Sequence, residues 1–128
     1  MLKEDSVACV EWLGDSLNAV KTWGAAAKQR AGYELYQLQT GCQPSDWRPM
    51  RAIGPGAREI RIHLEKEYRI IYVVKVQDTV HVLHAFIKKS TVTKKADIEK
   101  ARERYKQAVR ELEKRSEKRI VSLKKESH

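Results

Sequence analysis

Arg58-Glu59-Ile60-Arg61-Ile62-His63-Leu64, Tyr68-Arg69-Ile70-Ile71-Tyr72-Val73-Val74-Lys75-Val76 and Thr79-Val80-His81-Val82-Leu83-His84-Ala85-Phe86-Ile87 decide the fold. The first run alternates, with Ile60, Ile62 and Leu64 on one side and Glu59, Arg61 and His63 on the other, the two-residue period of a half-buried strand. The second is almost wholly β-branched or aromatic and therefore belongs in the middle of a sheet. It sets Ile70, Tyr72, Val74 and Val76 on one face against Arg69, Ile71, Val73 and Lys75 on the other. Gln77-Asp78 suits a tight hairpin turn into the third run. Three meandering strands follow, with Arg61 and Arg69 on one face, a register that a one-residue bulge would reverse.

Moving outward, Val7-Ala8-Cys9-Val10-Glu11-Trp12-Leu13 reads as a first strand. Gly14-Asp15-Ser16 is a turn with two good N-cap residues. Leu17, Val20 and Trp23, then Ala27, Ala31, Leu35 and Leu38, recur at helical spacing, and Gly24 interrupts them. Residues 15–40 are thus two helices or one broken helix, ending at Thr40-Gly41. Residues 41–57, with three prolines and three glycines, read as a loop tacked down by Trp47, Met50 and Ile53.

On the C-terminal side, Thr93 is the expected N-cap of a long helix over about residues 94–124. Ile98, Ala101, Tyr105, Ala108 and Leu112 form its apolar stripe. At 1.5 Å per residue such a helix is ~46 Å long, whereas a domain of this size is only ~36 Å across. Its end must project, fold back or fray, and Ile120, Val121 and Leu123 need a partner to cover them. The expected fold class is α+β: an N-terminal strand and two helices on one face of a small antiparallel sheet, then a long C-terminal helix. Residues 1–112 form the domain and residues 113–128 a charged helical extension.

The chain has 128 residues and a formal charge of +9. Six basic and six acidic side chains cancel over residues 1–57, while twenty basic face eleven acidic over residues 58–128. A one-sided basic field points to a polyanionic partner, against the plainer reading of a salt-laced surface. No run reaches the ~18–20 apolar residues of a membrane span, and Met1 to Asp15, without a basic end followed by an apolar block, is not expected to be a secretory signal. Cys9 and Cys42 make neither a CxxC pair nor a disulfide framework, which favours a reducing, cytoplasmic setting.

Metal chemistry is disfavoured. His81 and His84 are three apart on a strand and so fall on opposite faces. Gly54-Pro55-Gly56 lacks the Lys-Ser/Thr of a phosphate loop. What remains is a cluster of cations, Arg61, Arg69, Lys75, Lys88 and Lys89. Arginine holds phosphate oxygens bidentately, and either cation neutralises charge that develops during in-line attack. An RNA substrate supplies its own nucleophile, the 2′-hydroxyl, and the protein needs only to position it and move protons. His63, His84 and Tyr68 are the titratable candidates, each with a structural alternative: core packing for His84 and Tyr68, simple exposure for His63. Arg61 and Arg69 have their own alternative in salt bridges to Glu59, Glu65 or Glu67. Residues 88–106, with eight basic and three acidic side chains, add a surface for RNA backbone through Lys94, Lys95 and Arg102.

The order of elements resembles the RelE/ParE toxin superfamily, in particular its HigB-like, phage-derived branch. Trp12-Leu13-Gly14-Asp15-Ser16-Leu17, Ala31-Gly32-Tyr33-Glu34-Leu35 and Gly54-Pro55-Gly56-Ala57-Arg58-Glu59-Ile60-Arg61 carry the likeness. So do Tyr68-Arg69-Ile70-Ile71-Tyr72, Leu83-His84-Ala85-Phe86-Ile87-Lys88-Lys89-Ser90-Thr91 and Asp97-Ile98-Glu99-Lys100-Ala101-Arg102. The resemblance implies a metal-independent mRNA endoribonuclease, in many members active in the ribosomal A site, without a cofactor. It also implies a helix-turn-helix antitoxin as partner, and operator DNA bound through that antitoxin. By position Arg61, Arg69 and Lys89, with Lys88 beside it, match the family's phosphate-binding and transition-state residues. The chain departs from the pattern at the catalytic tyrosine that RelE-type enzymes often place near the C-terminus. Tyr105 is the only downstream tyrosine, and the helical stripe claims it for the core. ParE-like gyrase inhibitors and non-catalytic nucleic-acid-binding modules remain compatible with the same scaffold.

Overall fold

The computed structural model describes residues 7–75, 79–90 and 93–126, with side chains as far as residue 114 except that of Lys75. The elements are β1 (Cys9–Trp12), α1 (Ser16–Lys21), α2 (Ala25–Gln39), β2 (Trp47–Pro49), β3 (Ala57–His63), β4 (Glu67–Lys75), β5 (Thr79–Lys88) and α3 (Lys95–Glu126). They build one five-stranded sheet in the order β1-β5-β4-β3-β2. The three meandering strands are antiparallel, as their alternation requires, and β4 is central. β1 joins the edge parallel to β5, so the sheet is mixed rather than purely antiparallel. Within the segment read as loop, Trp47–Pro49 pairs with β3 as a short edge strand. Pro49 is tolerated there because an edge strand leaves one side without ladder bonds. The expected hairpin turn at Gln77-Asp78 lies outside the described residues.

Each face of the sheet has its own core. On one, Val20, Trp23, Ala27, Ala31, Leu35 and Leu38 from the first two helices pack on Ile60, Ile62, Tyr68, Ile70 and Tyr72. On the other, Met50, Ile53, Ala101 and Ala108 pack on Ile71, Val73 and Leu83. The second face is therefore not open along its length: α3 and the segment after β2 cover the part carrying Ile71, Val73 and Leu83. The apolar stripe of α3 behaves as its spacing dictates. Ala101 and Ala108 are buried, and Ile98 and Tyr105 are half-buried.

Capping departs from expectation. Asp15 occupies the N-cap position of α1 without a capping bond; its carboxylate reaches Arg104 Nη2 at 2.8 Å. Ser16 donates instead to the carbonyl of Val82. Thr93 precedes α3, but its buried hydroxyl makes no capping bond; Lys94 supplies the first accepting carbonyl. At the end of α2 the reading holds: Thr40 bonds back to Tyr36 and Gln37, and Gly41 takes the left-handed φ of 86°. α3 runs unbroken across residues 112–113, and its 32 residues span ~48 Å. The side chains of Ile120, Val121 and Leu123 lie outside the described residues.

A β-bulge shapes the site. Ile71 pairs with His84 but Tyr72 pairs with Val82, so Leu83 is an extra residue on β5. Parity flips there: Val80 and Val82 face the first two helices, as do Ala85 and Ile87 beyond it. His81 pairs with Val73 and His84 with Ile71, and both partners belong to the α3 side. The two histidines therefore share a face, contrary to the three-residue argument. A bulge that re-aims side chains beside a functional surface is a recurrent device.

Candidate active site

Register lays the polar residues of the α3-side face in rows across β3, β4 and β5. His63, Glu67 and Lys88 form one row, Arg61, Arg69 and Phe86 the next, and Glu59, Ile71 and His84 the third. Arg61 and Arg69 are direct cross-strand partners. Like charges so placed destabilise a pair of strands, and here carboxylates relieve them. Arg69 has a side chain only 5% exposed; its Nη2 lies 3.1 Å from Glu67 Oε1 and its Nε 3.8 Å from Glu59 Oε1. The fully buried Glu59 also accepts from Arg48 at 3.1 Å. Arg61 meets Asp46 at 3.3 Å. The cation cluster is thus a network of alternating charge. Asp46, just before β2, and Arg48, within it, were not legible because that segment carried no strand signal.

His63 is clamped in this network. Its Nε2 lies 2.6 Å from Asp46 Oδ2 and its Nδ1 2.7 Å from Glu67 Oε1. Hydrogen bonds to Asp46 and then Glu67 raise its pKa above the ordinary 6.5, so more of it is protonated at neutral pH. The same contact lowers Asp46, whose largest cause is the His63 bond. Glu67 is also lowered: desolvation opposes the shift, and the bonds from His63 and Arg69 outweigh it. Half of the His63 side chain remains exposed, so a substrate can reach it.

His84 is a satisfied core histidine. It is buried, stacked on Phe86 with ring centroids 5.1 Å apart, and its Nε2 lies 2.7 Å from Asp97 Oδ1. Its Nδ1 accepts from Arg104 Nη1 at 3.3 Å, which fixes the neutral tautomer. Burial lowers its pKa, with Asp97 opposing. Buried and held neutral, unlike the half-exposed His63, His84 orients Asp97 rather than moving protons. Tyr68 is excluded by direction: it packs on Trp23 across the sheet, centroids 4.7 Å apart. Arg104, which the sequence did not single out, anchors α3 to the bulge through the Leu83 carbonyl. It fits because Gly14 has no side chain; a Cβ there would meet the guanidinium.

The lysines differ from the arginines. Lys88, Lys89 and Lys94, with Phe86, Ile87, Ser90, Ala96 and Asp97, line a pocket of about 270 Å³ between the end of β5 and the first turn of α3. None of the three has an acidic partner within salt-bridge distance among the described residues. Lys75 does not join them. It pairs with Thr79 at the far end of β4, six residues or ~20 Å from Arg69. Arg102 bonds the Ala52 carbonyl through two nitrogens, at 3.0 and 2.9 Å. Its guanidinium thereby holds the segment after β2 to α3. Lys94 and Lys95 are exposed at the start of α3. Tyr105 donates to the Pro55 carbonyl at 2.7 Å and rests on Gly54, as its place in the stripe requires. Among the described residues no three His, Cys, Asp or Glu side chains are arranged to hold a metal ion. No helix among them is long and apolar enough to cross a membrane.

Residues 18–106 match the family described as Phage derived protein Gp49-like (DUF891). The chain belongs to this family. The Gp49-like chain is also similar in structure to a mutant of the E. coli toxin RelE in the free state. The two superpose with a TM-score of 0.51 at 15% identity, over 62% of this chain and 81% of that one. At that identity the likeness is one of fold. No curated protein matches the Gp49-like sequence. The family match bears out the phage-derived likeness, and the structural match bears out the RelE-like fold.

Proposed function

We propose that this Gp49-like protein is the toxin of a toxin–antitoxin pair and a metal-independent, ribosome-dependent mRNA endoribonuclease. The observation that supports it most is the juxtaposition of an exposed, doubly bonded His63 with Arg61, Arg69 and Lys88, which has no acidic partner among the described residues, on one sheet face. The 2′-hydroxyl oxygen attacks the adjacent phosphorus and the P–O5′ bond breaks. The products are a 2′,3′-cyclic phosphate and a 5′-hydroxyl. Lys88 and Lys89 hold the non-bridging oxygens. Arg61 and Arg69 face the charge that grows on them. His63, with its pKa raised, donates the proton that O5′ takes on leaving.

No carboxylate in this network suits the opposite role. Asp46 and Glu67 are held by cations and lowered in pKa, and Glu59 is buried between two arginines. An arginine–histidine network with a donor and no free acceptor among the described residues fits dependence on the ribosome, which would align the 2′-hydroxyl and accept its proton. A helix-turn-helix antitoxin would neutralise the protein, and operator DNA would be reached through it. Residues 1–112 are the catalytic unit in this reading, and the extension over residues 113–128 offers the antitoxin an additional surface.

Induced expression tests the reading. Wild type should arrest growth and shorten ribosome-bound mRNA while leaving the same RNA intact when free. Lys88→Ala with Lys89→Ala should abolish both effects. Full toxicity of that double variant, or broken DNA with intact mRNA, would sink it.

A further inference from the structure

The pocket beside α3 has a chemistry that phosphate binding alone does not use. Phe86 and Ala96 give it apolar wall, Lys88, Lys89 and Lys94 give it charge, and Asp97 puts a carboxylate among those cations. Asp97 Oδ1 is fixed by His84 Nε2 at 2.7 Å, and the far side of that imidazole is fixed by Arg104 at 3.3 Å. Asp97 Oδ2 has no protein partner among the described residues. A carboxylate oriented in this way is an acceptor only. At about 270 Å³ the pocket sits just under the ~300 Å³ lower bound of small-molecule sites. That is room for one base with its phosphate and not for a longer segment.

We infer that this pocket binds one nucleotide of the RNA and reads its base through Asp97, favouring bases that carry an exocyclic amine over uracil. The inference rests on the RNA-cleaving reading and names a specificity residue within it. Adenine, cytosine and guanine each offer an amine hydrogen on the pairing edge. Uracil offers one ring N–H, set between two carbonyl oxygens that a carboxylate repels. The lysines hold the phosphate whichever base is present. The bulge at Leu83 has a role here: it turns His84 toward α3, and His84 holds Asp97 in its reading position.

Nucleoside monophosphates test this without cleavage. Titrating the purified protein with AMP, CMP, GMP and UMP, followed by backbone NMR shifts, should give UMP the weakest binding by about tenfold, the worth of one hydrogen bond to a charged group. In Asp97→Asn the side-chain oxygen still accepts from His84 while the amide turns toward the pocket. The bias against UMP should then disappear, since the amide donates to an acceptor that every base carries, O4 in UMP. Lys94→Ala should weaken all four alike. Equal affinities in the wild type, a ranking unchanged in Asp97→Asn, or no binding at millimolar nucleotide would each overturn the inference. If Asp97→Asn fails to fold, the wild-type ranking decides alone. Base discrimination without mRNA cleavage would overturn the ribonuclease reading but not the pocket; cleavage without discrimination would do the opposite.

Discussion

The arginine network on β2, β3 and β4 and the lysine rim where β5 ends and α3 begins are neighbours that treat charge in opposite ways. Arg48, Arg61 and Arg69 each meet a carboxylate, and one of those carboxylates, Glu59, is fully buried. Lys88, Lys89 and Lys94 surround open space. Removing one member of a buried pair strands its partner in a poor solvent, so the network is tied to folding. Removing a lysine that has no acidic partner among the described residues strands nothing, so the rim is tied to affinity. Basic composition alone does not tell these two uses of a cation apart.

The largest expected effect on the chemical step falls on His63, the half-exposed member of the arginine network. His63→Ala should lower ribosome-dependent cleavage by about 10²–10⁴-fold, the usual worth of a general acid. Its urea midpoint should shift little, because the side chain is half exposed. A large loss of stability with unchanged cleavage would reassign His63 to the structural network. Arg69→Ala comes next. It leaves Glu59 with Arg48 alone and should destabilise the fold by about 3 kcal/mol, measured by urea denaturation. Lys88→Ala with Lys89→Ala should change stability by less than about 0.5 kcal/mol. It should also flatten the log–log salt dependence of RNA binding by about 1.4, two phosphates' worth on a single strand. If the lysine variant were the unstable one and the arginine variant the salt-insensitive one, the contrast between the regions would be reversed.

How much of this was legible follows from the range of each interaction. Strand and helix periods are local, so β3, β4, β5, α2 and the stripe of α3 could be read directly, and with them the shared face of Arg61 and Arg69. β2 has three residues and a proline, too little for a period to register. The bulge at Leu83 was not legible, because an extra residue in an apolar run leaves no mark on composition. Missing it set His81 and His84 on opposite faces and hid the contact between His84 and α3. The partners that define the site come from distant positions: Asp46 to His63, Asp15 to Arg104, Asp97 to His84. Nothing in single residues announces such pairings. The one available hint was Gly14, whose missing side chain admits Arg104.

The smallest expected effect separates the two histidines by pH. His84 is held neutral by burial, so its folded pKa lies below the unfolded value near 6.5. The unfolded chain then binds the extra proton, and stability falls as pH drops below about 6.5. His63 runs the other way. Its pKa is raised by Asp46 and Glu67, so the folded chain holds the proton more tightly. Its contribution is complete below about 6.5 and is lost as pH rises through the folded value. Being half exposed, this contribution should stay under about 1 kcal/mol. Urea midpoints taken from pH 5 to pH 8 should therefore decline on the acid side in both wild type and His63→Gln, since His84 is present in each. Only the wild type should also decline on the alkaline side. An alkaline decline that survives His63→Gln would mean that the clamp by Asp46 and Glu67 does not hold in solution, and with it would go the reason for casting His63 as the proton donor.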